Sequence, residues 1–175
     1  QLRYADYSKF YQNVYPSGAY NAGTNRVQLG AYNNATDRTN LINQTDLTIS
    51  GQALGFAHTL LLGAELSRQD TENFRETGFF NAAATQKNTF VTPQSSIYRG
   101  PLVFSHAASD ADNKSVAETA AFYLQEQIEL NEQWEVLLGV RYDHFKVEVD
   151  DYKGGGHSEV SSSDDLLSPR AGLIY

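Results

Sequence analysis

The chain has 175 residues, long enough for a domain with a sizeable core, and 12% of them are aromatic, with 11 Tyr and 9 Phe against one Trp. The net charge is −8 at pH 7 with a pI near 4.9, and Lys and Arg cluster nowhere, which excludes a phosphate-tracking surface for nucleic acid. Zero Cys excludes a disulfide framework and any thiolate metal site, and no apolar run approaches the ~18 residues of a transmembrane helix. Mean hydropathy of −0.47 suits a water-soluble chain, yet transmembrane strands conceal themselves because only alternate residues face lipid.

There is no Met, and Gln1 opens directly into strand-like sequence. The expectation is therefore a processed chain or a segment of something longer. The pattern predicts no helix. A first strand, about 2–14, is aromatic-rich and ends at the turn cluster Pro16-Ser17-Gly18. A second, about 26–50, is predicted to bulge near Asn33-Asn34. In its lower part Leu41, Asn43, Thr45, Leu47 and Ile49 alternate with Asn40, Ile42, Gln44, Asp46 and Thr48. After a short connection comes a third, about 56–70. There His58, Leu60, Leu62, Ala64 and Leu66 face one way, and Ala57, Thr59, Leu61, Gly63, Glu65 and Ser67 the other.

A large loop, about 71–117, follows, rich in Asn, Thr, Ser, Ala and Gly. The chain returns through a strand at about 118–130, turns at Asn131-Glu132-Gln133, and runs out again at about 134–150. A polar stretch with Gly154-Gly155-Gly156 leads to a last strand, about 167–175. Strands longer than ten residues with alternately tight and long connections differ from a soluble sandwich, where strands of ~5–6 residues are usual. A loop of about forty-five residues without secondary structure is a warning in a compact domain but ordinary outside a membrane barrel.

The segment WEVLLGVRYD, 134–143, carries most information. Trp134, Val136, Leu138, Val140 and Tyr142 share one face; Glu135, Leu137, Gly139, Arg141 and Asp143 share the other. Its terminal aromatics lie ~27 Å apart along the strand. Tilted by roughly 40° that is ~20 Å, near the ~25 Å apolar band of an outer-membrane barrel. The fold class expected is thus all-β, an antiparallel transmembrane β-barrel segment of about six long strands. Six strands cannot close a transport barrel, and open edges in lipid cost several kcal/mol per unpaired backbone group. A larger barrel, with further strands at both edges, is expected.

Several ordered blocks carry a family resemblance: FYQNVYP at 10–16, YNNATDRTNLINQTDLT at 32–48, HTLLLGAELSRQDTENFR at 58–75, YLQEQIELNEQWEVLLGVRYD at 123–143 and LLSPRAGLIY at 166–175. Together they cover most of the chain, which resembles the barrel of TonB-dependent siderophore receptors, most closely the catecholate group. The resemblance implies a 22-stranded barrel with an N-terminal plug, in the outer membrane of a Gram-negative bacterium. It implies TonB-dependent uptake of ferric siderophore, with the TonB complex acting through a plug that lies outside these residues. Membrane lipid and lipopolysaccharide are the implied surroundings, and no cofactor is implied beyond ferric siderophore as the transported ligand. Residues 1–175 are expected to form part of the barrel, about a quarter of the whole. The rival readings are a passive porin-like barrel and a secreted all-β ligand-binding or adhesion module.

Candidate ligand contacts are Arg75, Phe79, Phe80, Tyr98, Arg99 and Arg141. Rings stack on catechol faces and guanidinium forks meet anionic oxygens, so aromatics beside arginines suit an anionic aromatic chelate. Tyr98-Arg99 places both groups side by side. The plainer reading of the loop residues is packing of the loop on itself, and that of Arg141 is an ion pair with Asp143 on the inner face. Glu126, on the face of Leu124, Ile128 and Leu130, suggests a bulge or a place near the interface. Asp110-Ala111-Asp112-Asn113 lacks the Gly and distal Glu of a calcium loop. The four His are dispersed, there is no G-x-S-x-G elbow, and no helix follows Gly154–156 to hold phosphate. Enzyme chemistry is not expected.

Overall fold

The structure, a computed structural model, describes residues 1–95 and 98–175. Ser96 and Ile97, within the loop expected at 71–117, lie outside the described residues. Six long strands form one antiparallel sheet: β1 Leu2–Pro16, β2 Val27–Ala53, β3 Phe56–Phe79, β6 Asp112–Glu129, β7 Glu135–Asp151 and β8 Ser158–Ile174. They lie side by side in the order β1-β2-β3-β6-β7-β8. Two short strands, β4 Thr89–Val91 and β5 Val103–Ser105, extend the sheet beside β2 and β3. Helical structure among the described residues is confined to single 3-10 turns at Pro93–Ser95 and Lys153–Gly155.

Connections alternate in length. Residues 17–26, 80–111 and 152–157 join strands at one end; residues 54–55 and 130–134 join them at the other. The tightest is Leu54-Gly55, both with positive φ (54° and 85°), the geometry of a two-residue hairpin that matches strand twist. It fixes the register of β2 on β3 from Ala53↔Phe56 up to Tyr32↔Thr77 without a break. The bulge expected at Asn33-Asn34 is absent: Asn33 pairs with Gln12 on one side and Glu76 on the other. Its amide Nδ2 donates to Glu76 Oε2 (2.8 Å) and the Glu76 N–H donates to Asn33 Oδ1 (3.2 Å). Side-chain bonds thus hold a polar dipeptide in a straight ladder.

Several boundaries differ from the sequence expectation. β3 continues past residue 70 to Phe79, and β6 begins at Asp112, so the connection shrinks to 80–111. β8 begins at Ser158, inside the stretch read as a polar loop. Backbone pairing explains both. Residues 71–74 are sandwiched between β2 and β6 and Thr77 between β2 and β5, and 158–165 pair throughout with β7. The sheet therefore rises well above its apolar part: residues 27–40 of β2 add ~46 Å of strand at about 3.3 Å each.

The lower sheet is a single layer with two contrasting faces. On the outer face Leu47, Leu62, Leu124, Val140 and Pro169 form one cross-strand row, and Ile49, Leu60, Glu126, Leu138 and Ala171 the next. Among the described residues nothing covers this face: Leu138 is 45% exposed, Val140 and Tyr142 41%, Leu167 69%. Trp134 meets Tyr175 at its lower margin (centroids 4.7 Å apart), and Tyr142 stands at the upper. Glu126 interrupts the row without a bulge, three positions above the lower end of β6. Its Oε1 lies 2.8 Å from His58 Nδ1, while His58 Nε2 faces the Ala53 carbonyl at 3.1 Å, tying the carboxylate to the hairpin. On the inner face Tyr123 lies flat across Gly63, where a Cβ would stand 2.0 Å from its ring.

If lipid solvates the outer row, Val140→Arg in the protein reconstituted in bilayers should cost about 2–4 kcal/mol, read as a lowered urea midpoint. Leu137→Arg, three positions back and facing inward, should cost less than half as much; equal penalties would refute the assignment of faces.

Candidate ligand-binding wall

Among the described residues, the one compact apolar cluster lies above the single-layer sheet. Leu29, Ala31 and Phe80 are buried, with Val27, Val91, Tyr98, Leu102 and Phe104 packed against them. β4 replaces β3 as the neighbour of β2 there, and β5 replaces β6 as the neighbour of β3, so connection 80–111 folds back as a lid on the extended strands. Phe80 and Tyr98 meet edge to face at 5.0 Å, and the Tyr98 hydroxyl is 3.2 Å from the Phe80 carbonyl and 3.0 Å from that of Pro101. Phe79 is also buried (6% exposed). Phe80 and Tyr98 are thereby committed to the loop's own packing, while Arg99 is exposed beside them.

Asp110 pins this connection to β3. Its Oδ2 accepts from the Thr77 N–H (2.7 Å) and the Ala107 N–H (2.9 Å), and Oδ1 from the Thr77 hydroxyl (2.7 Å). His106 Nδ1 donates to the Arg75 carbonyl (2.9 Å), and its ring stacks on Phe74 at 4.8 Å. Burial alone would raise the Asp110 pKa. The Ala107 N–H, the Thr77 hydroxyl and N–H, and the Arg75 charge together outweigh it, so the carboxyl titrates below its ordinary value. A depressed folded value stabilises above the ordinary carboxylate range and fades only as pH falls through the lowered one.

The inner face of the extended strands carries a different chemistry. On β1, Tyr7, Tyr11 and Tyr15 recur every fourth residue with Lys9 between the first two, all on one face. The register sets them opposite Arg38, Asn34, Gly30 and Thr36 of β2. Arg38 lies over the Tyr7 ring (5.8 Å), Lys9 Nζ over Tyr11 (5.1 Å) and Arg75 over Tyr32 (4.1 Å). Tyr11 and Tyr15 each meet Tyr32 edge-on with centroids 5.7 Å apart.

The cations divide by neighbourhood. Outward-facing Arg68 closes on Asp70 (3.0 Å) and Glu118 (2.6 Å), Lys114 on Glu72 (2.7 Å) and Lys146 on Glu148 (2.6 Å). Inward-facing Arg141 closes on Asp143 (2.7 Å) and Glu65 (3.4 Å). Among the described residues, Lys9 and Arg38 have no carboxylate within 4.0 Å, and Arg75 reaches Asp110 only at 3.9 Å, its buried Nε without a hydrogen-bond partner. The wall of β1–β3 thus presents aromatic faces and cations still open to an anion.

Of the residues singled out in the sequence, only Arg75 stands in this wall. Arg141 lies across from Gly63 through Tyr123, twelve positions down β3 from Arg75, so ~40 Å along the strand. Tyr7, Lys9, Tyr11, Tyr15, Tyr32 and Arg38 also stand in the wall, and the four-residue spacing of the β1 tyrosines is their signal in the sequence.

The family described as "TonB dependent receptor-like, beta-barrel" matches residues 1–175, the entire chain. The chain belongs to this family. It is 26% identical over 138 residues to the metal-pseudopaline receptor CntO of Pseudomonas aeruginosa (strain UCBPP-PA14), a match covering 77% of this chain and 19% of that protein. Among solved structures it is similar to the siderophore receptor PiuA from Acinetobacter baumannii (17% identity, TM-score 0.71, 98% of this chain and 27% of that one). It is also similar to the open form of the ferric-catecholate import receptor Fiu from E. coli K12 (19% identity, TM-score 0.72, 98% and 29%). The chain spans about a fifth of its curated relative and under a third of these structures. The likeness to PiuA and Fiu establishes the fold: an all-β TonB-dependent receptor barrel segment. The TonB-dependent receptor family is one of receptors and transporters.

Asp110→Ala should release connection 80–111, about 1.5–3 kcal/mol of local closure being lost with a charged acceptor. Limited proteolysis at neutral pH should then cut this connection at least tenfold faster, whereas the unaltered protein should stay protected down to the ordinary carboxylate range and open only below it.

Proposed function

We propose that this chain forms part of the wall of an outer-membrane receptor for TonB-dependent uptake of a ferric siderophore of catecholate type. One observation carries the ligand class: the inner wall of β1–β3 pairs open cations with aromatic faces, Arg75 over Tyr32 above all. An iron–catecholate complex is anionic and presents flat aromatic surfaces, so guanidinium groups and rings recognise it together. Arg75 is the principal contact, with Tyr11, Tyr32 and the exposed Arg99 as neighbours in the vestibule. Phe79, Phe80 and Tyr98 act by shaping the lid, and Arg141 by holding the lower wall in its ion-pair network.

The end with long connections faces outward from the cell, and the turns at 54–55 and 130–134 face the periplasm, as in other outer-membrane barrels. The bare apolar belt sits in hydrocarbon, with lipopolysaccharide against the charged rows above it. A plug segment fills the lumen and relays the action of the TonB complex. A second reading rests on the sequence match to the metal-pseudopaline receptor: the same cations would meet the anionic groups of a different metal chelate.

In the full-length receptor, Arg75→Ala should weaken binding of a ferric catecholate about tenfold, the loss of one cation–π and charge contact worth roughly 1–2 kcal/mol. Arg68→Ala, outside and already paired, should leave it unchanged. Equal affinity for both variants and the parent would remove Arg75 from the site; selective loss of metal–pseudopaline binding would favour the second reading.

A further inference from the structure

We infer that the outer surface of the wall carries a sugar-binding site, with Phe10 and Phe74 as its rings and Asp37 and Asp112 as its hydrogen-bond acceptors. Of the reading above it requires only that the long connections face outward from the cell. Phe10, Ala35, Phe74 and Asp112 form one cross-strand row over β1, β2, β3 and β6, with Asp37, Glu72 and Lys114 in the row beneath. Both rows lie on the face that bears the apolar belt lower down, opposite to Arg75 and Tyr32. Ala35 is the low point between two rings that stand clear of the sheet, Phe10 63% and Phe74 42% exposed. The His106 ring, stacked on Phe74 at 4.8 Å and bonded to the Arg75 carbonyl, braces Phe74 from the side of connection 80–111. Beside Phe74 opens a hollow of about 140 Å³, bordered by Ala35, Asp37, Glu72, Asp112 and Lys114. It has room for one six-membered ring, since a cavity of ~150 Å³ admits benzene.

Height decides what can reach this hollow. Ala35 stands ten residues up β2 from Thr45, whose row holds Tyr142 at the upper margin of the belt. Ten residues are ~33 Å along the strand, or ~25 Å along the membrane normal at a tilt of roughly 40°. The headgroup layer adds only ~5–8 Å to each side of the hydrocarbon core, so lipid phosphates stay far below. What rises that high from the membrane is glycan, the sugar chain of a glycolipid in the outer leaflet. Charge then selects the kind of sugar. Lys114 closes on Glu72 (2.7 Å), while among the described residues no cation lies within 4.0 Å of Asp37 or Asp112. Two open carboxylates repel a phosphate or a uronate but accept strongly from hydroxyls, O–H···O⁻ bonds being short and strong. The C–H groups on a pyranose face carry slight positive charge and suit the negative face of an aromatic ring. Rings with open carboxylates therefore select an uncharged hexose, where rings with open cations on the inner wall select an anion.

The full-length receptor in detergent tests this with the neutral hexose oligosaccharide cleaved from the outer core of its host's lipopolysaccharide, binding being read by saturation-transfer NMR. Phe10→Ala and Phe74→Ala should each raise Kd about five- to tenfold, the loss of one ring contact. Asp37→Asn should raise it about fivefold, and Phe74→Tyr, which keeps the ring, should bind as the parent does. Arg75→Ala, on the other face, should leave the sugar Kd unchanged. Phe10→Ala and Asp37→Asn should in turn bind a ferric catecholate within about twofold of the parent, the two faces being independent. Heat-modifiable mobility equal to the parent's shows that each barrel has folded. No binding by the parent at ~10 mM sugar, or binding that ignores both Phe74→Ala and Asp37→Asn, overturns the site. Tighter binding of the phosphorylated core that depends on Mg²⁺ overturns it too, because the carboxylates then hold an ion-bridged anion. Sugar binding lost in Phe74→Ala beside catecholate binding indifferent to Arg75→Ala would instead sink the siderophore contact and spare the sugar site.

Discussion

Backbone hydrogen bonding governs this molecule before any side chain does. In hydrocarbon an unpaired N–H or C=O has no water to turn to, so the strands must form an unbroken ladder. That is what the register shows, from Leu2↔Asn43 on β1 to Glu135↔Ile174 on β8, with no residue inserted on either side of any long pairing. Because side chains alternate strictly, the continuous ladder sorts the whole sequence into two faces at once. A slip of one residue on β2 would bring Ile42 and Asp46 outward and Leu41 and Leu47 inward, exchanging lipid and water for every pair. The Leu54-Gly55 turn, with two residues in the left-handed region, fixes β2 on β3 in the one register that avoids this. β1 and β8 each pair on one side only, which is where a barrel continues.

The apolar belt was legible in the sequence for the same reason. Between Trp134 and Tyr142, or His58 and Leu66, apolar side chains fall on alternate positions because only one face meets lipid. Above the belt both faces meet water, and the alternation vanishes. Residues 71–79 and 158–165 are mostly Thr, Asn, Glu, Ser and Asp, types that also favour turns and loops. They are strands because neighbours on both sides, or on one long side, claim their backbone groups. Cross-strand bonds such as Thr36 Oγ1 to Asn73 Oδ1 (2.7 Å) and Asn73 Nδ2 to Asn113 Oδ1 (3.3 Å) then satisfy their side chains. None of that information is local, so a single sequence reads these segments as loop. Glu126 shows the converse: its misplaced charge was visible, but its partner His58 lies 68 residues away and emerges only from the pairing of β3 with β6.

The candidate site was legible in composition and illegible in position. Aromatics and arginines in the large connection pointed to a ring-and-cation chemistry, yet Phe80 and Tyr98 are consumed in roofing Leu29 and Ala31. Apolar rings in a loop that must fold back over its own strands gain more from leaving water than from waiting for a ligand. The open cations sit instead on regular strands. Which ones remain open depends on register: Arg68 falls opposite Glu118 and Lys114 opposite Glu72, while Arg38 falls between Tyr7 and Thr71, and Lys9 opposite Thr36. Arg38 has Asp37 directly beside it, whereas Arg68 has Asp70 two residues on, and only a strand makes that spacing decisive. In a strand the adjacent residue points to the other face, whereas the residue two along shares the same face; Asp70 can therefore reach Arg68, and Asp37 cannot reach Arg38.

This geometry also separates the roles of the two halves of the inner face. In the β3–β7 half, Arg141 spends its charge on Asp143 and Glu65, and its ring neighbour Tyr123 spends its hydroxyl on Asp46. An anion arriving there would have to displace a carboxylate already in contact, gaining little beyond what it removes. In the β1–β3 half the same cation chemistry is backed by tyrosine faces and a threonine hydroxyl, which orient a guanidinium without cancelling its charge. A unit charge at 4 Å is worth about 1 kcal/mol in water and about 4 kcal/mol at a protein surface with an effective dielectric near 20. An anion meeting Arg75 at this surface would therefore gain several-fold more than from a cation in open solvent, whereas the connection pinned by Asp110 seals Leu29 and Ala31, which alternate with Gly30 and Tyr32 and so fall on the opposite face of β2.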